Sequence, residues 1–201
     1  MFLEVKFGDQ VSIKVITSNI RFDTESDGDN SWNQRKDFLA KTLLSKKSLI
    51  IGTQEGRRPQ LEELHKLLPQ FKLIDSHRDW IEERMYPCIF VHDSVTVLES
   101  GDFWLSNTPQ IPASKLEGSA FPRLCTWVKL TYSDNVFYAF NLHLDHVDGD
   151  VRHEQSKILI REVSNIVNDH NFFLFGDFNA SPESKVYEEL TQKFGLKDFY
   201  S

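Results

Sequence analysis

The chain has 201 residues, 40% of them hydrophobic and 26% charged, and a formal net charge of −7. That length and balance suit one globular domain with a sizeable core. The negative charge excludes a protein that coats nucleic acid non-specifically, since such binding rests on many Lys and Arg contacts to phosphate.

The opening residues Met1-Phe2-Leu3-Glu4-Val5-Lys6 are charged early and lack an apolar core of signal-peptide length. No run approaches the ~20 apolar residues of a membrane span. A soluble, cytoplasmic protein with no membrane partner is expected. Residues 11–19 alternate and predict a strand ending on Asn19. The acidic, Gly-containing stretch 23–30 predicts a loop. Ser31 is placed to cap a helix to about residue 45, with Phe38, Leu39, Leu43 and Leu44 as its apolar stripe. Residues 48–55 predict a short buried strand ending on Glu55. Pro59 opens a helix over 60–68. Further strands are expected over 72–75, 87–92, 96–105, 124–131 and 136–144. Asp150 is placed to cap a helix to about residue 168, with Ile158, Leu159, Val163, Ile166 and Val167 on one side. A strand to Phe175 follows, then Pro182 and a helix to about residue 192.

Helix-connected strands alternate here with strand pairs. The pattern predicts an α/β layered sandwich around a mixed sheet, in a single domain spanning residues 1–201. Residues 102–123 form a long segment with three prolines and little periodicity, a type of loop that is more often functional than neutral. Cys88 and Cys125 sit in apolar runs without CxxC spacing, so buried free thiols are expected rather than zinc ligands or a disulfide. Trp104 and Trp127 are expected in the core.

Four of these strands finish on similar polar groups. They end at Asn19, at Gln54-Glu55, at Asn141-Leu142-His143 and at Gly176-Asp177-Phe178-Asn179. In the last, alternation puts Asp177 and Asn179 on one face and turns Phe178 into the packing. Strands sharing one sheet edge would bring Asn19, Glu55, His143, Asp177 and Asn179 together. Two acids, two amides and an imidazole suit a hard cation and an activated water. Arg123, Arg35 and Arg152 are candidate phosphate contacts, because a guanidinium fork matches phosphate oxygens.

Ser18-Asn19-Ile20-Arg21, Trp32-Asn33-Gln34-Arg35-Lys36, Gly52-Thr53-Gln54-Glu55, Asn141-Leu142-His143-Leu144-Asp145-His146 and Gly176-Asp177-Phe178-Asn179 follow in that order. Together they resemble the endonuclease/exonuclease/phosphatase superfamily, which includes deoxyribonucleases, apurinic endonucleases, deadenylases and inositol-phosphate phosphatases. The resemblance implies a deoxyribonuclease-like sandwich of mixed β-sheets flanked by helices, and metal-dependent phosphoester hydrolysis. It implies that Glu55 ligates Mg2+ (or Mn2+), with Asn19 in the metal site binding its water or phosphate. It further implies that Asp177 orients or deprotonates the attacking water, Asn179 holds a phosphate oxygen and His143 contacts the phosphate or assists the leaving group. The expected partner is a phosphorylated substrate, either a short nucleic acid or a small molecule, and no obligate protein partner is implied.

The family pattern also carries a Ser-Asp-His tripeptide on a final strand, and no Asp-His pair follows Asn179 here. The chain is therefore expected to lack the last strands. That departure keeps open a non-catalytic protein that binds a phosphorylated ligand or a partner. A zinc hydrolase of the metallo-β-lactamase type is a further alternative, since residues 141–146 match its His-x-His-x-Asp-His signature except at Asn141.

Overall fold

A computed structural model of the chain describes residues 2–7 and 11–198. Five strands form the first sheet in the order β1-β2-β3-β5-β4, and four form the second in the order β6-β7-β8-β9. The first sheet comprises β1 (Phe2–Phe7), β2 (Val11–Asn19), β3 (Ile50–Gly56), β4 (Phe71–Leu73) and β5 (Tyr86–His92). The second comprises β6 (Thr96–Trp104), β7 (Leu124–Tyr132), β8 (Asn135–His143) and β9 (Asn171–Asp177). Four helices accompany them: α1 (Trp32–Ser45), α2 (Arg58–Leu67), α3 (Gly149–Val167) and the single turn α4 (Lys185–Glu188).

The layered α/β sandwich read from the sequence is present, with its strands divided between two sheets. Alternation along the strands builds three apolar layers. Ile13, Val15, Ile50, Phe137, Ala139, Phe173 and Phe175 pack in the layer that holds the two sheets together. The other faces of the same strands turn outward. Ile16 and Ile51 meet Ala40, Leu43, Leu61 and Leu64 of α1 and α2. Phe140 and Leu142 meet Ile158, Leu159 and Val163 of α3. Burying one such large apolar side chain stabilises the fold by roughly 1.5–3 kcal/mol.

Each sheet contains one parallel strand pair, and a helix connects each pair. β2 runs parallel to β3 through α1, with Asn19 opposite Gln54. β8 runs parallel to β9 through α3, with His143 opposite Asp177. The remaining pairs are antiparallel. Parallel strands joined by a helix finish at the same end, and ligands of α/β sheets bind outside those carboxyl ends. Two such units facing each other bring both sets of strand ends to one rim.

Just beneath that rim the sheets approach closely. A Cβ at Gly52 would stand 2.1 Å from the Phe175 ring, so only glycine fits between them. Gly176 adopts φ +144, and a Cβ there would lie 2.2 Å from the Leu142 carbonyl oxygen. Two buried carboxamides close the seam. Gln54 Nε2 donates to Asn141 Oδ1 at 2.7 Å and to Thr17 Oγ1 at 3.0 Å. Asn141 Nδ2 donates to the carbonyls of Thr53 and Cys88 at 2.9 and 2.8 Å.

Several local expectations are corrected. Phe38 is 76% exposed, and the buried stripe of α1 is Trp32, Ala40 and Leu43. Asp148, not Asp150, caps α3, accepting from Asp150 N and Val151 N; Asp150 instead pairs with Lys185 at 2.7 Å. The helix expected after Pro182 is α4 followed by a π-turn over Glu189–Lys193. The polar stretch before α1 winds into a 3-10 turn over Glu25–Asn30. β1, not predicted from the sequence, pairs along β2. Cys88 and Cys125 are buried free thiols, as expected. Trp104 is buried and Trp127 half-buried. Among the described residues no helix is long and apolar enough to cross a membrane.

Candidate active site

Asn19, at the end of β2, joins the two halves of the site. Its Nδ2 donates to Glu55 Oε1 at 2.8 Å and to Asp177 Oδ2 at 3.0 Å. Its Oδ1 accepts from Arg21 N at 3.0 Å, which fixes which end of the carboxamide faces the acids. One neutral group therefore holds two carboxylates from different sheets without adding charge. Replacing Asn19 with Ala is expected to lower turnover about a hundredfold while sparing the fold, because Asn19 is exposed and its loss leaves two like charges unbridged. Steady-state kinetics alongside circular dichroism would check it.

Glu55 reaches this position through a backbone irregularity. Strict alternation would put it on the face opposite Gln54. The pairing of β3 with β5 shifts register between Thr53 and Gly56, and Glu55 sits at φ +66. A non-glycine residue in the left-handed region is strained, and such strain gathers at functional sites. Asn179 is turned in a similar way, at φ +47. It therefore does not continue β9 on the face of Asp177, as alternation suggested. Its N–H donates to Asp177 Oδ1 at 3.1 Å, and its Nδ2 donates to the Leu144 carbonyl at 3.1 Å. Phe178 packs against the second apolar layer, as expected.

His143 closes the group. Its Nε2 lies 3.8 Å from Asp177 Oδ2. Burial and the nearby Arg123 guanidinium push its pKa down to about 4, although Asp177 and Glu55 oppose the shift. The imidazole is therefore neutral at neutral pH. Arg123 is itself buried, at 7% exposure. Its Nη2 lies 3.1 Å from His146 Nδ1, so that nitrogen accepts and His146 carries its proton on Nε2. Arg123 Nε has no hydrogen-bond partner. A buried guanidinium with an unsatisfied donor is uncommon in a folded protein.

The structure brings together Asn19, Glu55, His143, Asp177, Asn179 and Arg123 of the sequence candidates. Their strands belong to two sheets, so convergence comes from two pairs of strand ends meeting across the sandwich and not from one shared edge. The other two arginines stand apart. Arg35 donates to the carbonyls of Asn30, Ile20 and Arg21, which pins the turn after β2. Arg152 donates to the Asp145 carbonyl at 3.2 Å. Neither lines the cleft beside the carboxylates. Asp145 accepts from Ser119 Oγ, Ala120 N, Val147 N and Asp148 N, so its carboxylate organises loops and is not open to a zinc ion. Sequence reasoning missed His146 as a cleft residue, although its place three residues past the end of β8 was the available signal.

The cleft holds about 590 Å3 and is lined by Glu55, Arg123, His143, His146 and Asn179 together with Arg21, Phe22, Arg57, Arg84 and Phe121. That volume suits a ligand well larger than phosphate alone. Phe121 stacks on His146 with centroids 5.9 Å apart, giving one apolar wall. Among the described residues no three His, Cys, Asp or Glu side chains form a closed metal cage. Magnesium needs none: it keeps several waters and binds through one or two carboxylates plus substrate phosphate. Glu55, half-exposed on the cleft and held by Asn19, fits that demand.

The model of the Endonuclease/Exonuclease/phosphatase family matches residues 16–199. A family protein of known structure from Bacteroides thetaiotaomicron is 31% identical, with a TM-score of 0.84 over 91% of this chain and 69% of that one. A mannosyl-6-phosphatase from Bacteroides thetaiotaomicron VPI-5482 is 30% identical, with a TM-score of 0.83 over 90% of this chain and 70% of that one. TDP2 of D. rerio, complexed with single strand DNA product, shares the fold at 18% identity, with a TM-score of 0.69 over 92% of this chain and 66% of that one. No curated protein matches the chain at comparable stringency.

Proposed function

Because the chain belongs to the Endonuclease/Exonuclease/phosphatase family, we propose that it is a Mg2+- or Mn2+-dependent phosphoesterase acting on a small phosphorylated molecule. The observation that carries this reading is the single carboxamide of Asn19 bridging Glu55 and Asp177 beside His143 and Arg123. The 590 Å3 cleft, the net charge of −7 and the 30% identical mannosyl-6-phosphatase support a small sugar-phosphate-like substrate over long duplex DNA.

In this reading Glu55 holds the cation, with Asn19 beside it. A bound divalent ion would neutralise charge on the phosphoryl oxygens. Asp177 accepts a proton from the attacking water and fixes its direction in line with the leaving oxygen. Asn179 and Arg123 donate to the remaining phosphoryl oxygens, where negative charge grows in the transition state. His143, neutral at neutral pH, donates a hydrogen bond near the leaving oxygen and does not act as a charged acid.

The test is release of p-nitrophenol from p-nitrophenyl phosphate and from bis-p-nitrophenyl phosphate, with Mg2+ and with chelator. Turnover of the monoester that chelator abolishes is the expected result. Preference for the diester would redirect the reading to phosphodiester chemistry. A folded chain that binds Mg2+ and turns over neither compound would leave a protein that binds phosphorylated ligands without hydrolysis.

A further inference from the structure

Four arginines line the cleft, Arg21, Arg57, Arg84 and Arg123, in a chain of net charge −7. Arg123 belongs to the acid–amide centre. Arg21 has an acid partner in Asp27, at 3.3 Å, and Arg57 has one in Glu83, at 3.2 Å. Arg84 differs from both. Its guanidinium lies over the Trp104 ring, 5.4 Å from the centroid, and its Nε is buried without a hydrogen-bond partner. Arg57 Nε is buried and unpartnered as well. Buried donors are nearly always satisfied, and two cleft-lining guanidinium groups that each keep an unsatisfied nitrogen require an explanation.

The backbone holds Arg84 in place. Glu83 adopts φ +58, and Arg84 N donates to the Ile81 carbonyl at 3.3 Å, closing a tight turn. Ile81 N donates to the Tyr86 hydroxyl at 2.9 Å and ties that turn to the start of β5. A strained turn that presents one arginine to a cleft is a preorganised grip. Glu82 and Glu83 on the same turn are exposed, so water screens their charges. Arg84 is half-buried, which strengthens its pull on an anion, and the Trp104 ring beneath it steadies the guanidinium.

We propose that Arg84, with Arg57 alongside, forms a second anion subsite in the cleft that takes an additional phosphate or carboxylate of the substrate. This rests on the phosphoesterase reading for the first phosphate. The substrate class is then a small phosphorylated molecule with two anionic groups, one placed at Asn179 and Arg123 and the other at Arg84.

Calorimetry on the full chain in chelator, where metal-dependent turnover is stopped, separates this from the activity itself. The probes are glucose 6-phosphate, glucose 1,6-bisphosphate and 6-phosphogluconate, each titrated into the unaltered chain, Arg84→Gln and Arg84→Lys. Arg84→Gln is expected to weaken binding of one or both two-anion probes at least about tenfold, the usual reach of a charge-assisted hydrogen bond. The single-phosphate probe should change less than about threefold. Arg84→Lys should recover part of the loss, since it keeps the charge without the fork. Loss confined to the bisphosphate identifies phosphate as the second group, and loss confined to 6-phosphogluconate identifies carboxylate. Equal changes for all three probes, or a preference of the unaltered chain for glucose 6-phosphate, overturn the subsite. Failure of every probe to be hydrolysed with Mg2+ would refute the phosphoesterase reading alone, because the binding ratios stand without turnover.

Discussion

Asp177→Ala is expected to lower metal-dependent p-nitrophenyl phosphate hydrolysis by at least about a thousandfold, with the fold intact. Removing one member of a catalytic unit usually costs several orders of magnitude, because the remaining members cannot act without it. Asp177 is well placed for such an effect. It ends β9, accepts from Asn19 Nδ2 and Asn179 N, and lies 3.8 Å from His143 Nε2. Its side chain is 29% exposed, so truncation opens no core cavity. Asp177→Asn sharpens the test, since it keeps the shape and removes the acceptor of the water's proton. Initial rates with thermal melts for both variants decide the matter. Rates within tenfold of the unaltered chain would move the chemistry away from Asp177.

The candidate site was legible to the extent that it lies on strand ends. Asn19, His143 and Asp177 each terminate a run that reads as a strand, alternating before Asn19 and unbroken apolar before Asp177, so the strand ends deliver them to one end of the sandwich. Glu55 was legible as a residue but not as a geometry. Its direction depends on a register shift and on φ +66, and neither leaves a mark in hydrophobic patterning. The division into two sheets, which the family resemblance implied, was hidden from the patterning for a similar reason. Strands buried on both faces, such as residues 172–175, read as unbroken apolar runs that carry no sheet label. Arg35 shows the limit of reading by residue type. A guanidinium on a helix beyond an acidic loop suits a phosphate equally well as three carbonyls, and only coordinates distinguish them.

Beneath the cleft lies the least legible feature, because its members come from β5, β6, β7 and the loop before β5. Arg78 is 9% exposed and forks onto Asp102, with Nε to Oδ2 at 2.7 Å and Nη2 to Oδ1 at 2.8 Å. Arg78 Nη2 also donates to Thr126 Oγ1 at 2.7 Å, and Nη1 donates to Cys88 Sγ at 2.9 Å. His77 Nε2 lies 3.2 Å from Asp102 Oδ1. The guanidinium stacks on Tyr86, 4.5 Å from its centroid. Burial would raise the Asp102 carboxyl, yet His77 and Arg78 pull it down to about 2. Burial raises the Cys88 thiol to about 11, so Arg78 meets a neutral sulfur.

Arg78→Ala is therefore expected to destabilise the chain by about 3–5 kcal/mol, because it strands a buried carboxylate. Urea unfolding would measure it. The paired variant Arg78→Met with Asp102→Leu removes both charges and should recover most of the loss, since apolar residues often replace a buried pair without penalty. A paired variant as unstable as the single one would show that packing on Tyr86 and Trp80, and not charge balance, is what Arg78 supplies. The pH dependence has a definite sign. A carboxyl held at about 2 when folded and near its ordinary 3.8 when unfolded stabilises the protein above pH 4. That contribution, about 2 kcal/mol, is lost as pH falls from about 4 through 2. The loss should vanish in the paired variant, because the carboxyl that takes up the proton is gone.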